Sequence, residues 1–211
     1  MPLLSEIEFA SISQYAVRSA DEAARQRSKA FRDDVKRGRQ DLFDLITKYI
    51  RTKPVATHVR SVFGSDVVLV PAPGSAPHTP GALWVPDVIC KALLRAGLAA
   101  SSERWLTRLK HVPKSAFAPP DQRPDAFMHY ETISAVKVLA APARIVVVDD
   151  VVTRGCTLLA SVSRIAEEYP HSQVSAFALT RAISHGEIDQ IPSPAIGTIA
   201  LHADGSTSRA P

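Results

Sequence analysis

The chain of 211 residues has few of the features that would assign it to a functional class at once. Its two cysteines, Cys90 and Cys156, are far apart and show no CxxC spacing, which argues against a structural zinc site and favours a reducing compartment. No apolar run approaches the roughly 20 residues that cross a bilayer, and the N-terminus shows no secretion signal. These absences predict a cytoplasmic protein without membrane contact.

Common nucleotide-binding and signalling motifs are missing as well. Neither GxxxxGK(S/T) nor GxGxxG occurs. The motifs that usually indicate P-loop ATP hydrolysis and dinucleotide redox chemistry are therefore absent. A receiver domain of a signalling pathway also ends a hydrophobic strand in two acidic residues, but it needs a later lysine. No lysine follows Asp150, which excludes that class.

The composition is that of a folded protein, with 45% hydrophobic and 22% charged residues. The net charge of +4 is uneven, because residues 18–39 hold eight Lys or Arg against four Asp or Glu. This basic segment is either a solvated helix face or a surface that contacts nucleic acid or a partner protein. Both interpretations stay open.

Patterns along the chain predict an α/β fold with a doubly wound, mostly parallel sheet and an N-terminal helical extension. Residues 5–52 contain no proline and one glycine, so we assign residues 1–60 to the helical extension and residues 61–211 to the α/β domain. Strands are predicted at residues 66–71, 145–148, 173–181 and 196–201, and helices at residues 86–97 and 156–169. Residues 101–134 are predicted to be a long excursion with a pair of short strands, and residues 202–211 a frayed tail.

The segment VVVDDVVTRGCT at residues 146–157 lies where a parallel strand passes into a helix, and ligands bind at such junctions. The residues after the strand supply backbone N–H groups and two hydroxyls that can surround a phosphate: Thr153, Arg154, Gly155, Cys156 and Thr157. The carboxylates of Asp149 and Asp150 would instead accept hydrogen bonds from sugar hydroxyls. The spacing therefore predicts a sugar phosphate ligand.

This segment resembles the signature of type I phosphoribosyltransferases, which binds phosphoribosyl pyrophosphate (PRPP). The resemblance implies that Asp149 and Asp150 bind the ribose hydroxyls and that residues 153–157 hold the 5′-phosphate. The segment DVVLVPAPGSAP resembles the pyrophosphate loop of that family, which would comprise Ala72, Pro73, Gly74 and Ser75. The arrangement is similar to the ComF-like branch associated with DNA uptake, and the resemblance covers residues 67–181.

The resemblance also implies how the charge of the pyrophosphate is balanced. Mg²⁺ would be held through substrate oxygens and few protein ligands. Basic residues of the excursion are candidates for a mobile loop over the site: Arg108, Lys110, Lys114 and Arg123. The sequence assigns no role to His111, His129 or His185.

Two functions remain open at this point. One is a Mg²⁺-dependent phosphoribosyltransferase that transfers ribose 5-phosphate from PRPP to a nitrogen acceptor, such as a nucleobase, with release of pyrophosphate. The other is a non-catalytic sensor of PRPP or a nucleotide, acting with nucleic acid in DNA uptake or defence. A homodimer is one candidate assembly, since dimers are the commonest soluble oligomers.

Overall fold

A computed structural model describes residues 3–16, 21–113, 123–183 and 192–211. The strands are β1 (Glu6–Ala16), β2 (Val67–Pro71), β3 (Ser101–Ser102), β4 (Leu106–Arg108), β5 (Ile133–Ala135), β6 (Arg144–Val152), β7 (Gln173–Ile183), β8 (Pro192–Leu201) and β9 (Thr207–Ala210). The helices are α1 (Glu22–Lys36), α2 (Gln40–Thr52), α3 (Thr57–Arg60), α4 (Val85–Arg95), α5 (Ala126–Glu131) and α6 (Cys156–Glu168), with a 3₁₀ turn at Pro54–Ala56.

Seven of the strands form one mixed sheet in the order β3-β2-β6-β7-β1-β8-β9. The five strands from β3 to β1 in this order are parallel, whereas β8 and β9 are antiparallel to their neighbours. Strands β4 and β5 form a separate antiparallel pair. The chain therefore has an α/β fold with a mostly parallel sheet, as the alternation of strands and helices predicts.

Helices cover both faces of the sheet. The central strand β6 is buried on both sides, which explains why its sequence is almost continuously apolar. Ile145 and Val147 belong to a core that includes α6, whereas Val146 and Val148 belong to a second core that includes α2 and α4. Alternate side chains of a strand point to opposite faces, so burial on both sides leaves no exposed apolar face. The parallel strands are therefore fixed between two layers of helices.

The N-terminal segment differs from the predicted helical extension, because residues 6–16 form strand β1 in the interior of the sheet. This strand pairs with β7 on one side and with β8 on the other. Phe9 packs in the core with α6, and Ile12 packs in the core with α2 and α4. The absence of proline is as typical of a buried strand as of a helix, and the helices begin only at Glu22.

Two further predictions about the C-terminal half are corrected. Strand β6 continues to Val152, so Asp149 and Asp150 lie within its last residues rather than after it. The segment predicted to be a frayed tail contains β9, which pairs with β8 through a turn at residues 202–206. The other predicted strands and helices are confirmed with small shifts at their ends.

The predicted excursion at residues 101–134 contains β3, β4, α5 and the start of β5. The antiparallel pair of β4 and β5 confirms the predicted pair of short strands. Helix α5 and strand β5 lie against α6, so this part of the chain covers the face of the sheet where α6 begins. Within the described part of the chain, no helix is both long enough and apolar enough to span a bilayer.

Candidate functional site

The candidate site lies between β2 and β6, where the direction of chain winding reverses. Strand β2 leads through α4 to β3 at one edge of the sheet, whereas β6 leads through α6 to β7 in the opposite direction. The loop after β2 begins beside β6, because the Ala72 N–H donates to the Val148 carbonyl at 2.8 Å. Open parallel sheets bind ligands at such switch points.

A small open cleft lies at this point, lined by Asp149, His129 and residues 151–158. Helix α6 begins there at Cys156, and no side chain among the described residues caps its first turn. Its first turn also contains no acidic residue. The first N–H groups of a helix lack partners within the helix and attract anions, so this cleft can accept a phosphate group.

Gly155 is required for the turn on two counts. Its φ is +100°, in the left-handed region that other residues rarely adopt. A Cβ atom at this position would also lie 2.6 Å from the Cδ1 atom of Ile199 on β8. The turn can therefore pack this closely against the sheet only with glycine.

Side chains of strand β9 donate hydrogen bonds to the same turn. The sequence did not predict this contribution. The Thr207 hydroxyl donates to the Arg154 carbonyl at 2.9 Å and lies 3.2 Å from the Cys156 sulfur. The Nε of Arg209 donates to the Thr153 carbonyl at 3.1 Å. These hydrogen bonds from β9 to two carbonyl groups hold the turn in its conformation without a ligand.

The two adjacent carboxylates are held near the cleft by short local hydrogen bonds and by a lysine from α1. Asp149 Oδ1 accepts from the Asp150 N–H, and Asp150 Oδ1 accepts from the Val151 N–H, both at 2.8 Å. The Lys36 Nζ lies 2.5 Å from Asp150 Oδ2. Lys36 thus joins the basic N-terminal segment to the candidate site.

Burial raises the pKa of Asp149 well above its usual range, and the neighbouring charge of Asp150 raises it further. The charge of Lys36 acts in the opposite direction but does not cancel the rise. Asp149 lines the cleft, so a carboxyl group with an unusually high proton affinity faces any ligand there. Such groups occur disproportionately at functional sites.

The loop after β2 is held mainly through its carbonyl groups. Trp84 Nε1 donates to the Ala72 carbonyl at 2.9 Å, and the Val112 N–H donates to the Ser75 carbonyl at 2.8 Å. A Cβ atom at Gly74 would meet no atom within 4 Å. Pro73 is buried, so the loop presents an open stretch of backbone at Gly74 beside the phosphate turn.

Arg108, predicted as a mobile-loop residue, is instead buried in β4 with 2% of its surface exposed. Its Nε donates to the Gly74 carbonyl at 2.9 Å, and its Nη1 donates to Thr132 Oγ1 at 2.6 Å. Its Nη2 lies 3.1 Å from the Nδ1 of His129. Burial lowers the pKa of Arg108 to about 10. Arg108 therefore links the Gly74 loop to α5 and cannot close over a ligand.

His129 lies on α5 at the edge of the cleft and is 5% exposed. Burial is the main cause that lowers the pKa of His129 to about 3, and the positive charges of Arg108 and Arg154 lower it further. The ring is therefore neutral at physiological pH, and its Nε2 lies 3.5 Å from the Thr157 hydroxyl. The sequence offered no signal for this position, because the contact joins residues distant in the chain.

The remaining predicted residues are placed as follows. Arg154 is half-buried and its Nη2 lies 3.4 Å from the Pro124 carbonyl. Lys110 and Arg123 are exposed and flank the part of the excursion that the structure leaves undescribed. Lys114 and His185 lie outside the described residues. Cys156 is buried against Thr207, consistent with a packing role.

No cluster of three or more metal-binding side chains occurs among the described residues. Among the described residues, the carboxylate that lines the cleft is Asp149, and Lys36 already contacts the neighbouring Asp150.

A scan against protein-family models finds no match to this chain, and a search of curated proteins finds no matching relative.

Proposed function

We propose that the cleft binds PRPP and that the protein is a phosphoribosyltransferase-like enzyme of the type I kind. The carrying observation is the uncapped first turn of α6 behind Gly155, at the point where the sheet changes its winding direction. Backbone N–H groups in this position suit a terminal phosphate. The acidic pair just upstream suits the hydroxyl groups of the sugar that carries it.

In this proposal the 5′-phosphate occupies the turn at residues 153–157. The ribose hydroxyls then face Asp149 and Asp150, and the pyrophosphate extends toward Gly74. Mg²⁺ would be held chiefly by ligand oxygens with few protein ligands, and when bound it would offset the charge of the leaving pyrophosphate. The adjacency of the Gly74 loop to β6 supports this orientation, because one extended ligand can reach both loops.

The proposed reaction is a displacement at the anomeric carbon of the ribose. The bond from this carbon to the pyrophosphate oxygen breaks, and a bond to the acceptor nitrogen forms. Pyrophosphate leaves with the bonding electron pair, and the acceptor nitrogen gives up its proton. Positive charge develops on the sugar during such displacements, and an ionised carboxylate at Asp149 or Asp150 would stabilise it.

Pyrophosphate release tests the enzyme proposal directly. The protein is incubated with PRPP and Mg²⁺ across a panel of nucleobases, and we expect release with at least one of them. Binding of PRPP is measured separately by calorimetry. The variant Asp149→Asn/Asp150→Asn should lose PRPP binding while it retains its circular dichroism spectrum. Unchanged affinity in this variant would remove the assignment of the acidic pair.

The second candidate function is a non-catalytic sensor of PRPP or a nucleotide. The observation that favours it is the loop at residues 72–75, which has no basic side chain. The nearby Arg108 is buried and donates to the Gly74 carbonyl of that loop. Tight PRPP binding without pyrophosphate release for any acceptor would support the sensor. Loss of a salt-dependent shift with DNA or RNA after deletion of residues 1–40 would assign nucleic-acid contact to the basic segment, provided that the truncated chain keeps its fold.

Assembly and location remain part of the proposal. A cytoplasmic location fits either function, because PRPP and nucleotides are intracellular metabolites. A homodimer is proposed because dimers are the commonest soluble oligomers. Sedimentation of the purified full-length chain would establish the oligomeric state.

A further inference from the structure

Arg108, which binds the Gly74 carbonyl, determines which ring nitrogen of His129 carries a proton. A guanidinium group has only donors, so the Nδ1 atom at 3.1 Å from Arg108 Nη2 must act as an acceptor. The ring is neutral at physiological pH, and a neutral imidazole carries one proton. That proton therefore resides on Nε2, on the side of the ring away from Arg108.

The Nε2–H group faces the phosphate turn without a good protein acceptor. Among the described residues, its one hydrogen-bond contact is the Thr157 hydroxyl at 3.5 Å, beyond the usual range for a strong hydrogen bond. Thr157 lies in the first turn of α6, and His129 lines the same cleft as residues 153–157. A buried donor thus points to the place where the helix N–H groups favour an anion.

We propose that His129 is a phosphate-binding residue, which donates from Nε2 to a ligand phosphate oxygen, and that Arg108 is the positioning residue that orients it. The identity of the phosphate rests on the proposed function, but the donor and its orientation do not. The contact would add a directional side-chain donor to the backbone N–H groups of the turn. Because Arg108 also binds the Gly74 carbonyl, it would link phosphate binding to the neighbouring loop.

Two substitutions of His129 separate a ligand contact from a structural contact. In His129→Gln the amide nitrogen can occupy the place of Nε2, so the donor toward the cleft is retained. In His129→Asn the shorter side chain can replace Nδ1 as the acceptor for Arg108, but it has no donor in the cleft. A ligand role predicts that the Asn variant is the weaker binder, whereas a purely structural role predicts that the Gln variant is more impaired.

Calorimetry with ribose 5-phosphate and with inorganic phosphate gives the result. We expect His129→Asn to bind ribose 5-phosphate about tenfold or more weakly than the wild type, since hydrogen bonds to charged groups are the stronger ones. His129→Gln should stay within about threefold of the wild type, a smaller change than loss of such a hydrogen bond. Equal binding by both variants, or stronger binding by the Asn variant, would overturn the proposal.

Nitrogen-15 NMR of the wild-type histidines tests the same proposal without measuring the affinity of a variant. The His129 resonances are identified by their absence from the spectrum of either variant. We expect an unprotonated Nδ1, a protonated Nε2, and a shift of the Nε2–H resonance when ribose 5-phosphate or inorganic phosphate is added. A proton on Nδ1, or an Nε2–H resonance that neither probe moves, would contradict the inference.

The probes also distinguish this inference from the proposed function. Wild-type protein that binds inorganic phosphate through His129 but does not bind PRPP would refute the PRPP proposal alone. If the wild type and His129→Asn bind PRPP with equal affinity, the role of His129 alone is refuted. Failure of the wild type to bind any of the three probes would refute both.

Discussion

Replacing Asp149 with asparagine should stabilise the fold at neutral pH, although it should remove ligand binding. Burial and the charge of Asp150 raise the pKa of Asp149, so the folded protein holds this proton more tightly than the unfolded chain does. The stability that protonated Asp149 contributes is therefore fully present below a pH of about 4, the ordinary pKa range of an aspartate. It falls as the pH rises through the raised pKa, because the folded state must then accommodate a buried negative charge.

The size of the effect follows from the linkage between protonation and folding. Each unit by which the folded pKa exceeds the unfolded pKa corresponds to about 1.4 kcal/mol of lost stability above both values. Lys36 offsets part of the charge, and asparagine keeps the oxygen that accepts from the Asp150 N–H. We therefore expect Asp149→Asn to raise the free energy of unfolding by about 1–3 kcal/mol at pH 8, and by much less at pH 4.

Urea denaturation of the wild type and the variant at several pH values between 4 and 8 measures this difference. Asp87 provides a matched control, because it is also buried but hydrogen bonds from Arg104 and Lys91 hold its pKa below the usual range. Asp87→Asn should destabilise the protein at pH 8, and its cost should shrink as the pH falls. If Asp149→Asn destabilises the protein at pH 8 as the control does, the proposed electrostatic environment of Asp149 is wrong.

The remaining predictions concern the turn and the lysine of α1. Gly155→Ala should lower stability by about 2–4 kcal/mol, through left-handed backbone strain and overpacking, and should abolish phosphate binding in calorimetry. Gly97→Ala has a similar backbone strain at φ +71° but no atom within 4 Å of its Cβ, so it should cost about 1–2 kcal/mol and leave binding unchanged. Lys36→Met removes the cation beside Asp150, and this positive charge opposes the rise in the pKa of Asp149. The thermal midpoint should therefore fall more at pH 8, where ionisation of Asp149 is favoured, than at pH 5. An equal fall at both pH values would contradict a charge effect.

The phosphate turn could be predicted from sequence because its determinants are local. The end of an apolar strand, a glycine and the first residues of a helix are neighbours in the chain, and the structure places them as one turn at Gly155. The length of β6 was underestimated because two carboxylates rarely end a buried strand. They are accommodated here by local N–H donors and by Lys36.

The parts of the site that could not be predicted come from distant segments. Lys36 lies on α1 and Asp150 on β6, with four strands between them in the chain. Arg108 reaches His129 only because α5 folds back onto β4. Neither contact leaves a pattern in the sequence. The β9 strand did have a signal, because Asp204 and Gly205 form a dipeptide typical of tight turns between strands, and Gly205 has a φ of +79°.

The distribution of arginines bears on the choice between a small anionic ligand and nucleic acid. In the basic segment at residues 18–39, most of the cations form ion pairs with nearby carboxylates. Four arginines at or beside the carboxyl ends of the parallel strands make no ion pair with a carboxylate among the described residues: Arg108, Arg154, Arg181 and Arg209.

Burial lowers the pKa of three of these arginines, which indicates that their charges are costly to the fold. Carbonyl and hydroxyl groups satisfy their donors but do not neutralise the charge. A bound polyanion would neutralise it, so ligand binding should raise the thermal midpoint, with a stabilisation that grows as the logarithm of one plus the ratio of ligand concentration to dissociation constant. Of these arginines, Arg154 lines the cleft, and Arg108 and Arg209 bind the carbonyl groups of Gly74 and Thr153 in the loops beside it. This edge of the sheet therefore favours an anionic ligand.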